Sequence, residues 1–592
     1  MRVLVVLPKF VAKPGQYYLL PVGLPYISAA LKQAGFEVEC LNLNHEAAAP
    51  EALIPRVILE RQIDLVLTGG LSAHYHAVRQ VINAARTAGP QLKTIIGGGL
   101  LSSEPELIMG ALGADIGVIG EGEDTVVEVV RALMQGQPLE NVAGLIYWEA
   151  PGRLRQTPAR AAIRDLDRIP FPDYEGFGVD QYLDLQLPNT ERDFHPFDNP
   201  RRLSIISSRS CPYNCTFCYH PIGNVYRQRS LDNLFQEIEY LKDRYRINML
   251  IILDELFSLD QDRLYEFCRR MKPLGLKWEA QIRVDNIDRE MLAAMKDSGC
   301  YCISYGLESG SDVVLKSMRK NIRVEEIKRA LEMTWEAGIG VQGNFLFGDP
   351  AETLETAAET LDLWLQLKKH NIYMVPVELY PGTGIYKKAL TKGVIQDRLA
   401  FIEAGCPVEN LTDLSQEQFL QILLLVHLLR KAYQSSPARL LALQEQPGPD
   451  RQGRRLLRMK VQCPHCQQVV EYGNMDLAGH RKIGCRACNR RFDLASLSDP
   501  AYRPLHYALS SRYQYQPDHA QEIRGFLNLD QKTWLLAENV RIDRQDRTFQ
   551  LVRLLGSLFL VPETFTAQEI RDHQAPLFIL DSASQKAYPL HD

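Results

Sequence analysis

The feature that most constrains the fold of this chain is an alternation of short apolar runs with helical stretches, which occurs twice along the sequence. In the first 145 residues, five apolar runs are predicted as strands, at Val3–Leu7, Val38–Leu43, Leu65–Thr68, Thr94–Ile96 and Ile116–Ile119. Strands that alternate with helices form parallel sheets covered on both faces. Residues 1–145 are therefore predicted to form a doubly wound, flavodoxin-like α/β domain.

A proline-rich stretch separates this pattern from its second occurrence. Residues 146–200 contain seven prolines and no lasting periodicity, which predicts a linker. The alternation then resumes over residues 201–399, with predicted strands at Leu203–Ser207, Met249–Leu253, Trp278–Ile282, Cys302–Tyr305, Gln342–Phe347 and Tyr373–Leu379. Six βα units predict a partial (βα)6 barrel, whose chemistry is expected at the C-terminal ends of its strands.

Three further segments follow the predicted barrel. Residues 400–450 favour a helical extension, because Ser415 and Gln418 form a capping box ahead of an apolar stripe. Residues 451–498 carry two CxxC pairs and are predicted to form a zinc-ribbon-like unit. Residues 499–592 are predicted to be a small mixed α/β region, in which we identify no motif.

The composition of the chain argues against several classes of protein. The chain has 592 residues, 46% of them apolar, and a net charge of −5, which argues against a protein-wide nucleic-acid-binding surface. Its most apolar helical stretch, Phe419–Leu429, is interrupted by polar residues and is shorter than the roughly 18 apolar residues that a membrane span requires. The N-terminus lacks the pattern of a signal peptide. We therefore expect a soluble, cytoplasmic protein without a membrane span.

Seven of the twelve cysteines fall into two groups. Cys211, Cys215 and Cys218 lie within eight residues in CPYNCTFC, directly after a predicted strand. Thiolates are the ligands of iron–sulfur clusters, and three of them can hold three irons of a [4Fe–4S] cubane and leave the fourth iron open. Zinc or buried thiols are the alternatives. The five scattered cysteines are predicted to be small buried residues.

The segment SRSCPYNCTFCY resembles the CxxxCxxC signature of radical S-adenosylmethionine (SAM) enzymes. Five later segments resemble the strand ends of that family in the same order, namely ILDELF, QIRVD, SYGLESGS, NFLFGDPAET and LYPGTGIY. The resemblance implies that an electron donor such as flavodoxin or ferredoxin reduces the cluster, which then cleaves SAM. The residues that it implies for cofactor binding around SAM are Phe217, Asp254, Arg283, Gly306, Glu308, Ser309, Asn344 and Gly348.

Some of these assignments remain open from the sequence alone. Asp254 and Glu255 stand together at a strand end, and only the predicted strand register favours Asp254. Glu308 is also compatible with a capping or salt-bridged residue, and Arg283 with a structural charge at the barrel rim.

Glycines follow three consecutive strands of the N-terminal domain, where a ligand would need close approach to the backbone. The segments PVGLPYISAAL, TGGLS, IIGGG and VIGEGE resemble cobalamin-binding domains fused to radical SAM barrels, and RDLDRIPFPDYEGF resembles their linker. The cobalamin-binding residues that this implies are Gly69, Gly70, Ser72, Gly97, Gly98, Gly99, Gly120 and Glu121.

Histidine ligation of cobalt is not predicted. LPKFVAKPG stands where the family's DxHxxG motif supplies a lower axial histidine. We therefore expect cobalamin to bind without that ligand. His45, His74 and His76 lie near strand ends and are either ordinary loop residues or contacts to cobalt or the corrin. A tRNA methylthiotransferase is disfavoured, because its N-terminal domain carries three cysteines and residues 1–200 here contain only Cys40.

The pairs Cys463–Cys466 and Cys485–Cys488 have the spacing of a zinc ribbon. A closed structural zinc site is the favoured interpretation, and an auxiliary iron–sulfur cluster or a rubredoxin-like iron are the alternatives. Basic residues flank the pairs. Nucleic acid is not expected as a partner, although the ribbon leaves that partner open, as it does docking of a large or anionic substrate.

The resemblance implies a cobalamin-dependent radical SAM enzyme, and methyl transfer from SAM to an unactivated carbon of an unidentified substrate is the preferred reaction. A cobalamin-dependent cyclase or rearrangement enzyme without methyl transfer is the alternative. A third hypothesis, from another class, is a cobalamin-binding sensor whose ribbon docks a partner.

Overall fold

The structure is a computed structural model of the chain. It describes residues 1–493, apart from a small set of positions, and five strands beyond residue 493. The positions outside the description are 13–15, 90, 189–194, 368, 417, 421, 424, 427–437, 451–452, 455 and 476–481. The chain forms two compact units, each described by itself. The first comprises Met1–Gln186, Arg201–Phe257 and Glu378–Pro407, and the second comprises Leu187–Pro200, Ser258–Val377 and Val408–Asp592.

The N-terminal part of the first unit is a seven-stranded sheet. Its strands are β1 (Arg2–Leu7), β2 (Glu37–Asn42), β3 (Leu65–Gly69), β4 (Lys93–Gly97), β5 (Ile116–Val118), β6 (Leu145–Ala150) and β7 (Arg153–Gln156). The helices among them are α1 (Gly23–Gln33), α2 (Pro50–Glu60), α3 (Tyr75–Thr87), α4 (Gly99–Ser103), α5 (Pro105–Leu112) and α6 (Glu123–Gln135). The strand order is β2-β1-β3-β4-β5-β6-β7, and β1 to β5 run parallel. This confirms the predicted doubly wound fold, whose switch point lies between β1 and β3.

Strands β6 and β7 lie where the sequence predicts the start of a linker. They pair antiparallel with β5 and with each other, so the sheet continues to Gln156. Strand β7 could not be predicted from the sequence, because its residues, Arg-Leu-Arg-Gln, are mostly exposed at the sheet edge and show no alternation of apolar and polar residues. The segment that then leads away from the sheet contains α7 (Val179–Asp184).

The rest of the first unit's central segment holds the three-cysteine loop. Its elements are β8 (Arg202–Ile205), β9 (Ser208–Arg209), β10 (Arg227–Gln228), α8 (Leu231–Tyr245) and β11 (Met249–Ile252). Strands β8 and β11 are parallel, whereas β9 and β10 form a short antiparallel pair. We call residues 208–228 the cluster hairpin, because this pair closes the loop that contains the three cysteines.

The second unit contains four further parallel strands of the predicted barrel. Its elements here are α9 (Gln261–Met271), β12 (Lys277–Ile282), α10 (Arg289–Asp297), β13 (Cys300–Glu308), α11 (Asp312–Ser317), α12 (Val324–Glu336), β14 (Gly340–Phe347), α13 (Leu354–Gln366) and β15 (Asn371–Pro376). Strand β12 pairs with β13, β13 with β14, and β14 with β15, all parallel. All six predicted barrel strands are therefore present. The first unit resumes with α14 (Gly384–Thr391) and α15 (Arg398–Glu403).

The region predicted as a helical extension is only partly helical. The capping box is formed, since Ser415 N lies 3.1 Å from Gln418 Oε1 and Gln418 N lies 3.2 Å from Ser415 Oγ. However, β16 (Arg439–Glu445) pairs antiparallel with β17 (Leu457–Gln462), which pairs with β18 (Val469–Met475). The sequence RLLALQE consists of good helix formers, so its pairing in a sheet is a tertiary effect that outweighs local propensity.

The two CxxC pairs lie beside these strands. A second small sheet follows, made of β19 (Lys482–Gly484) and β20 (Arg491–Asp493). Past residue 493 the described strands are β21 (Asn539–Ile542), β22 (Arg547–Leu554), β23 (Ser557–Pro562), β24 (Phe578–Asp581) and β25 (Lys586–Pro589), in one antiparallel sheet. The helical part of the predicted α/β region lies outside the described residues.

Candidate functional site

The cluster hairpin presents three thiols from one loop. Cys215 is buried, and Cys211 and Cys218 are half-buried; none of the three forms a disulfide. Phe217, which stands between two of them, is half-buried. Three thiols presented from one loop can hold three irons of a [4Fe–4S] cluster and leave the fourth iron open.

Asp254 holds the strand that leads into the hairpin. Its carboxylate accepts a hydrogen bond from Ser207 N at 2.6 Å and another from Ser208 Oγ at 2.7 Å. Asp254 is only 2% exposed, and burial raises the pKa of its carboxyl group. These hydrogen bonds make Asp254 a positioning residue for this strand, and its contact with SAM stays a prediction.

The neighbouring Glu255 is the accessible carboxylate of this pair. Its side chain is 35% exposed, and its Oε2 lies 3.1 Å from Nδ1 of His220, two residues after Cys218. The hydrogen bond with Glu255 raises the pKa of His220. The sequence could not distinguish Glu255 from Asp254, because one residue of strand register separates them.

Glu121 joins the N-terminal domain to the cluster hairpin. Its carboxylate accepts hydrogen bonds from Arg209 Nη1 at 2.8 Å, from Arg227 Nη1 at 2.8 Å and from Ile163 N at 2.7 Å. Burial alone would raise the pKa of Glu121, but the two arginines outweigh it and lower that pKa. The side chain is 4% exposed. These contacts give Glu121 a structural role, and its contact with cobalamin stays a prediction.

Tyr219 makes a second connection, which the sequence analysis missed. Its hydroxyl donates to the carbonyl oxygen of Gly99 at 2.6 Å, and burial raises the pKa of Tyr219 to about 12. Its ring fills a slot between two glycines: a Cβ at position 99 would lie 2.7 Å from Cε1, and one at position 382 would lie 2.5 Å from Cε2. The position of Tyr219 directly after Cys218 was the sequence signal that could have identified it as a site residue.

The glycines predicted to cradle cobalamin divide into two groups. Gly69 and Gly98 allow neighbouring backbones to meet, since a Cβ at 69 would lie 2.5 Å from Gly97 O and one at 98 would lie 2.8 Å from Gly70 O. These positions are explained by strand packing alone. Gly120 is different, because it adopts φ +80° and has nothing within 4 Å of a Cβ position. It leaves open space at the end of β5, as a ligand cradle requires. Ser72, after β3, is buried.

The three histidines of this domain have partners within the chain. His45 Nε2 lies 2.9 Å from the Tyr18 hydroxyl, and burial lowers the pKa of His45 to about 4. His74 Nδ1 accepts from Leu71 N at 3.3 Å, and burial lowers its pKa. His76 Nε2 lies 2.6 Å from Glu403 O. These contacts support the interpretation of all three as ordinary loop residues.

In the second unit, two predicted SAM residues meet at Lys320. Glu308 Oε1 accepts from Lys320 Nζ at 2.6 Å, and Arg283 Nη2 donates to the Lys320 carbonyl at 2.8 Å and to Asp285 at 2.8 Å. Gly306 makes room for this pair, because a Cβ there would lie 2.4 Å from Glu308 Oε1. The salt-bridged alternative for Glu308 is thus the observed one, and its backbone has φ +61°.

The remaining predicted residues of this unit differ in exposure. Ser309 is fully buried and its hydroxyl lies 3.0 Å from Thr360 Oγ1, while its contact with SAM stays a prediction. Asn344, on β14, is exposed. Gly348 follows β14 with φ +111°, and a Cβ there would touch the Phe419 ring at 3.4 Å.

The four ribbon cysteines form a compact group. The Sγ atoms of Cys463 and Cys488 are 3.8 Å apart, and those of Cys466 and Cys485 are 3.7 Å apart. Cys463 and Cys485 are fully buried. Four thiols at this separation fit a closed tetrahedral zinc site, and a rubredoxin-like iron would use the same donors.

Comparison with known proteins assigns the two large domains. Residues 8–130 match the B12 binding domain, and residues 205–363 match the radical SAM superfamily. The chain therefore carries a B12-binding domain ahead of a radical SAM domain, the combination found in cobalamin-dependent radical SAM enzymes. Its cofactors are those of that class: a [4Fe–4S] cluster, SAM and cobalamin. Among the described residues, no helix is long and apolar enough to cross a membrane.

Individual relatives match more than half of the chain. An uncharacterised methyltransferase of Pyrococcus horikoshii is 29% identical over 70% of this chain and 86% of its own length. An anaerobic magnesium-protoporphyrin IX monomethyl ester cyclase of Rubrivivax gelatinosus is 26% identical over 57% of this chain and 61% of its own. The radical SAM methyltransferase TsrM of Kitasatospora setae, solved with cobalamin and a [4Fe–4S] cluster, has a TM-score of 0.55 at 21% identity, over 67% of this chain and 79% of that one.

Proposed function

We propose that this chain is a cobalamin-dependent radical SAM methyltransferase, which transfers a methyl group from SAM to an unactivated carbon of its substrate. The observation that carries the proposal is the contact between Tyr219 and Gly99. It seats the loop of cluster cysteines directly against the glycine run at the carboxyl end of β4, where a doubly wound domain binds its ligand. When bound, the cluster supplies the electron that cleaves SAM, and cobalamin supplies a cobalt centre able to carry a methyl group.

The chain's own residues hold and orient these groups. Cys211, Cys215 and Cys218 supply the thiolates for the cluster, and Asp254 fixes the strand that precedes them. The half-exposed carboxylate of Glu255 would accept a hydrogen bond from the amino group of SAM. The open space at Gly120 would accommodate cobalamin.

The second unit contains three further residues that the sequence predicts to bind SAM. Arg283 and Glu308 are fixed through Lys320, and Asn344 presents an exposed amide from β14. We propose that these side chains orient SAM. We propose that an external one-electron donor, such as flavodoxin or ferredoxin, reduces the cluster, because each reductive cleavage of SAM consumes one electron.

Cyclisation without methyl transfer is the second candidate, and the similarity to the Rubrivivax gelatinosus cyclase favours it. The products formed from SAM separate the two. The full chain, loaded with iron, sulfide and cobalamin and then reduced, should convert SAM to S-adenosylhomocysteine if it transfers methyl groups. Cyclisation would yield 5′-deoxyadenosine alone. The Cys215→Ala chain serves as the control, since it should form neither product.

A further inference from the structure

The four-cysteine unit contributes nothing to the proposed chemistry, yet it makes specific contacts within the second unit. Its second knuckle, Cys485–Cys488, continues directly into Asn489, Arg490 and Arg491. These three residues contact the N-terminal ends of barrel strands and a helix that precedes one of them. The three contacts are independent of one another.

Arg490 engages the end of α12. Its guanidinium lies 3.9 Å from the ring centroid of Trp335, and its Nη2 donates to the Trp335 carbonyl at 3.1 Å. His465, from the first knuckle, meets the same ring edge-on with centroids 5.2 Å apart. Both knuckles of the metal site therefore pack on one tryptophan of the barrel.

Asn489 and Arg491 engage the beginnings of β13 and β14. Asn489 donates to the Gly338 carbonyl at 3.1 Å, and its own carbonyl approaches Gly340 so closely that a Cβ there would lie 2.5 Å away. Arg491 Nη2 donates to Gln342 Oε1 at 3.1 Å and lies 3.6 Å from Cys302 Sγ. Asn489 has φ +57°, so the knuckle itself fixes the orientation of this segment.

The ribbon unit also binds a second segment, residues 198–199. Asp198 Oδ1 accepts from Gly473 N at 2.6 Å and from Arg486 Nη2 at 2.5 Å. Asn474 Nδ2 donates to Asn199 Oδ1 at 2.7 Å. The unit thus fastens residues 198–199 and the starts of β13 and β14 together.

These contacts also occupy three of the basic side chains that made nucleic acid or a docked substrate conceivable partners. Arg486, Arg490 and Arg491 bind within the chain, and two further basic residues form ion pairs, Arg454 with Asp450 and Lys460 with Glu471. These five basic residues therefore contribute to the chain's own fold.

We infer that the four-cysteine unit is a metal-dependent brace for the barrel, which fixes β13 and β14 from their N-terminal ends. The small core of the unit includes two of the four thiols, Cys463 and Cys485, so its folding depends on the metal. Strands β13 and β14 carry Glu308 and Asn344 toward their other ends. Loss of the metal therefore loosens the two strands that bear proposed SAM residues. The brace itself is independent of the proposed function, and only its effect on SAM rests on that proposal.

Hydrogen–deuterium exchange of the full chain tests the brace directly. In the Cys488→Ser chain, bound zinc or iron at the ribbon should be lost, and peptides covering β13 and β14 should exchange at least tenfold faster. Peptides covering β1 to β5 should exchange at the wild-type rate. The brace is wrong if the metal is lost and β13 and β14 keep their wild-type protection.

A second variant distinguishes loss of the brace from general unfolding of the Cys488→Ser chain. Arg490→Gln leaves all four thiols in place, so it should keep the metal while peptides of β14 exchange about threefold faster. Lys460→Gln makes the same charge change on the outer face of the ribbon. It should change neither the bound metal nor the exchange rate of the β14 peptides. The SAM affinity of the cluster-loaded Arg490→Gln chain should fall about threefold. Unchanged affinity with faster exchange would refute only the SAM part, whereas unchanged exchange would refute the brace.

Discussion

Glu121 and Arg227 form a buried ion pair that joins the GEGE segment of the B12-binding domain to the base of the cluster hairpin. Nη1 of Arg227 lies 2.9 Å and 2.8 Å from the two carboxylate oxygens of Glu121, and both side chains are less than a tenth exposed. Arg209, two residues before Cys211, shares the same carboxylate. One residue of the N-terminal domain thereby fixes both strands of the pair that closes the hairpin.

Replacing Glu121 by Gln should destabilise the chain strongly. The amide leaves Arg227 without its carboxylate partner, whereas Arg209 keeps its ion pair with Glu123. Breaking a buried pair in this way costs about 3–5 kcal/mol. Denaturant unfolding of the full chain measures the loss. Asp124→Asn is the matched control, because Asp124 pairs with Arg168 at the partly exposed surface of the same domain, where a pair contributes about 0–1 kcal/mol. Equal effects of the two variants would contradict the role of Glu121.

The three hairpin cysteines should bind iron as a set. Cys215→Ala removes a thiolate of the proposed cluster, so the reconstituted chain should lose the visible absorption and the EPR signal of the reduced cluster. Cys268→Ala is the control: Cys268 is buried in α9, where burial raises its pKa to about 11 and keeps it a thiol. A wild-type cluster signal in Cys215→Ala would rule out the ligand assignment.

The slot that holds Tyr219 should tolerate no side chain at position 99. Gly99→Ala would place a Cβ 2.7 Å from the Tyr219 ring and 2.9 Å from Leu71, so the hairpin or the glycine run must shift. We expect overpacking to cost about 1–3 kcal/mol and cobalamin retention on gel filtration to fall. Gly110→Ala, in α5, has nothing within 4 Å of its Cβ and should leave both properties unchanged or improve stability slightly. Similar behaviour of the two variants would disprove the slot.

Glu352, just after β14, should make the stability of the chain depend on pH. It is 2% exposed, and burial raises its pKa from 4.5 to about 8. The folded chain therefore keeps a proton that the unfolded chain releases, so this contribution is complete below about pH 4.5 and is lost as pH rises to about 8. Glu352→Gln cannot ionise, so its free energy of unfolding should fall less between pH 5 and pH 8. Glu355→Gln, exposed on α13, should keep the wild-type slope; a wild-type slope in Glu352→Gln would contradict the assignment.

The sequence predicted well what depends on local pattern. The parallel strands follow from apolar runs such as Val3–Leu7, and the cluster loop follows from three cysteines in one short segment. Contacts between residues that are distant in the chain could not be predicted from the sequence. The hydrogen bonds of Glu121 with Arg209 and Arg227 could not be predicted, because these arginines are 88 and 106 positions away. Asp254 was preferred over Glu255 because burial depends on a strand register that a four-residue apolar run does not fix. The segment Arg439–Glu445 was expected to be helical because nothing local reveals its pairing with β17.

The most direct test of the central claim is the fate of SAM in the anaerobic, reduced chain, with and without bound cobalamin. We predict that S-adenosylhomocysteine forms with cobalamin bound, in an amount that follows the cobalamin content, and does not form in the cobalamin-free chain. Production of 5′-deoxyadenosine alone, with S-adenosylhomocysteine absent at every cobalamin content, would contradict the assignment of this chain as a methyltransferase.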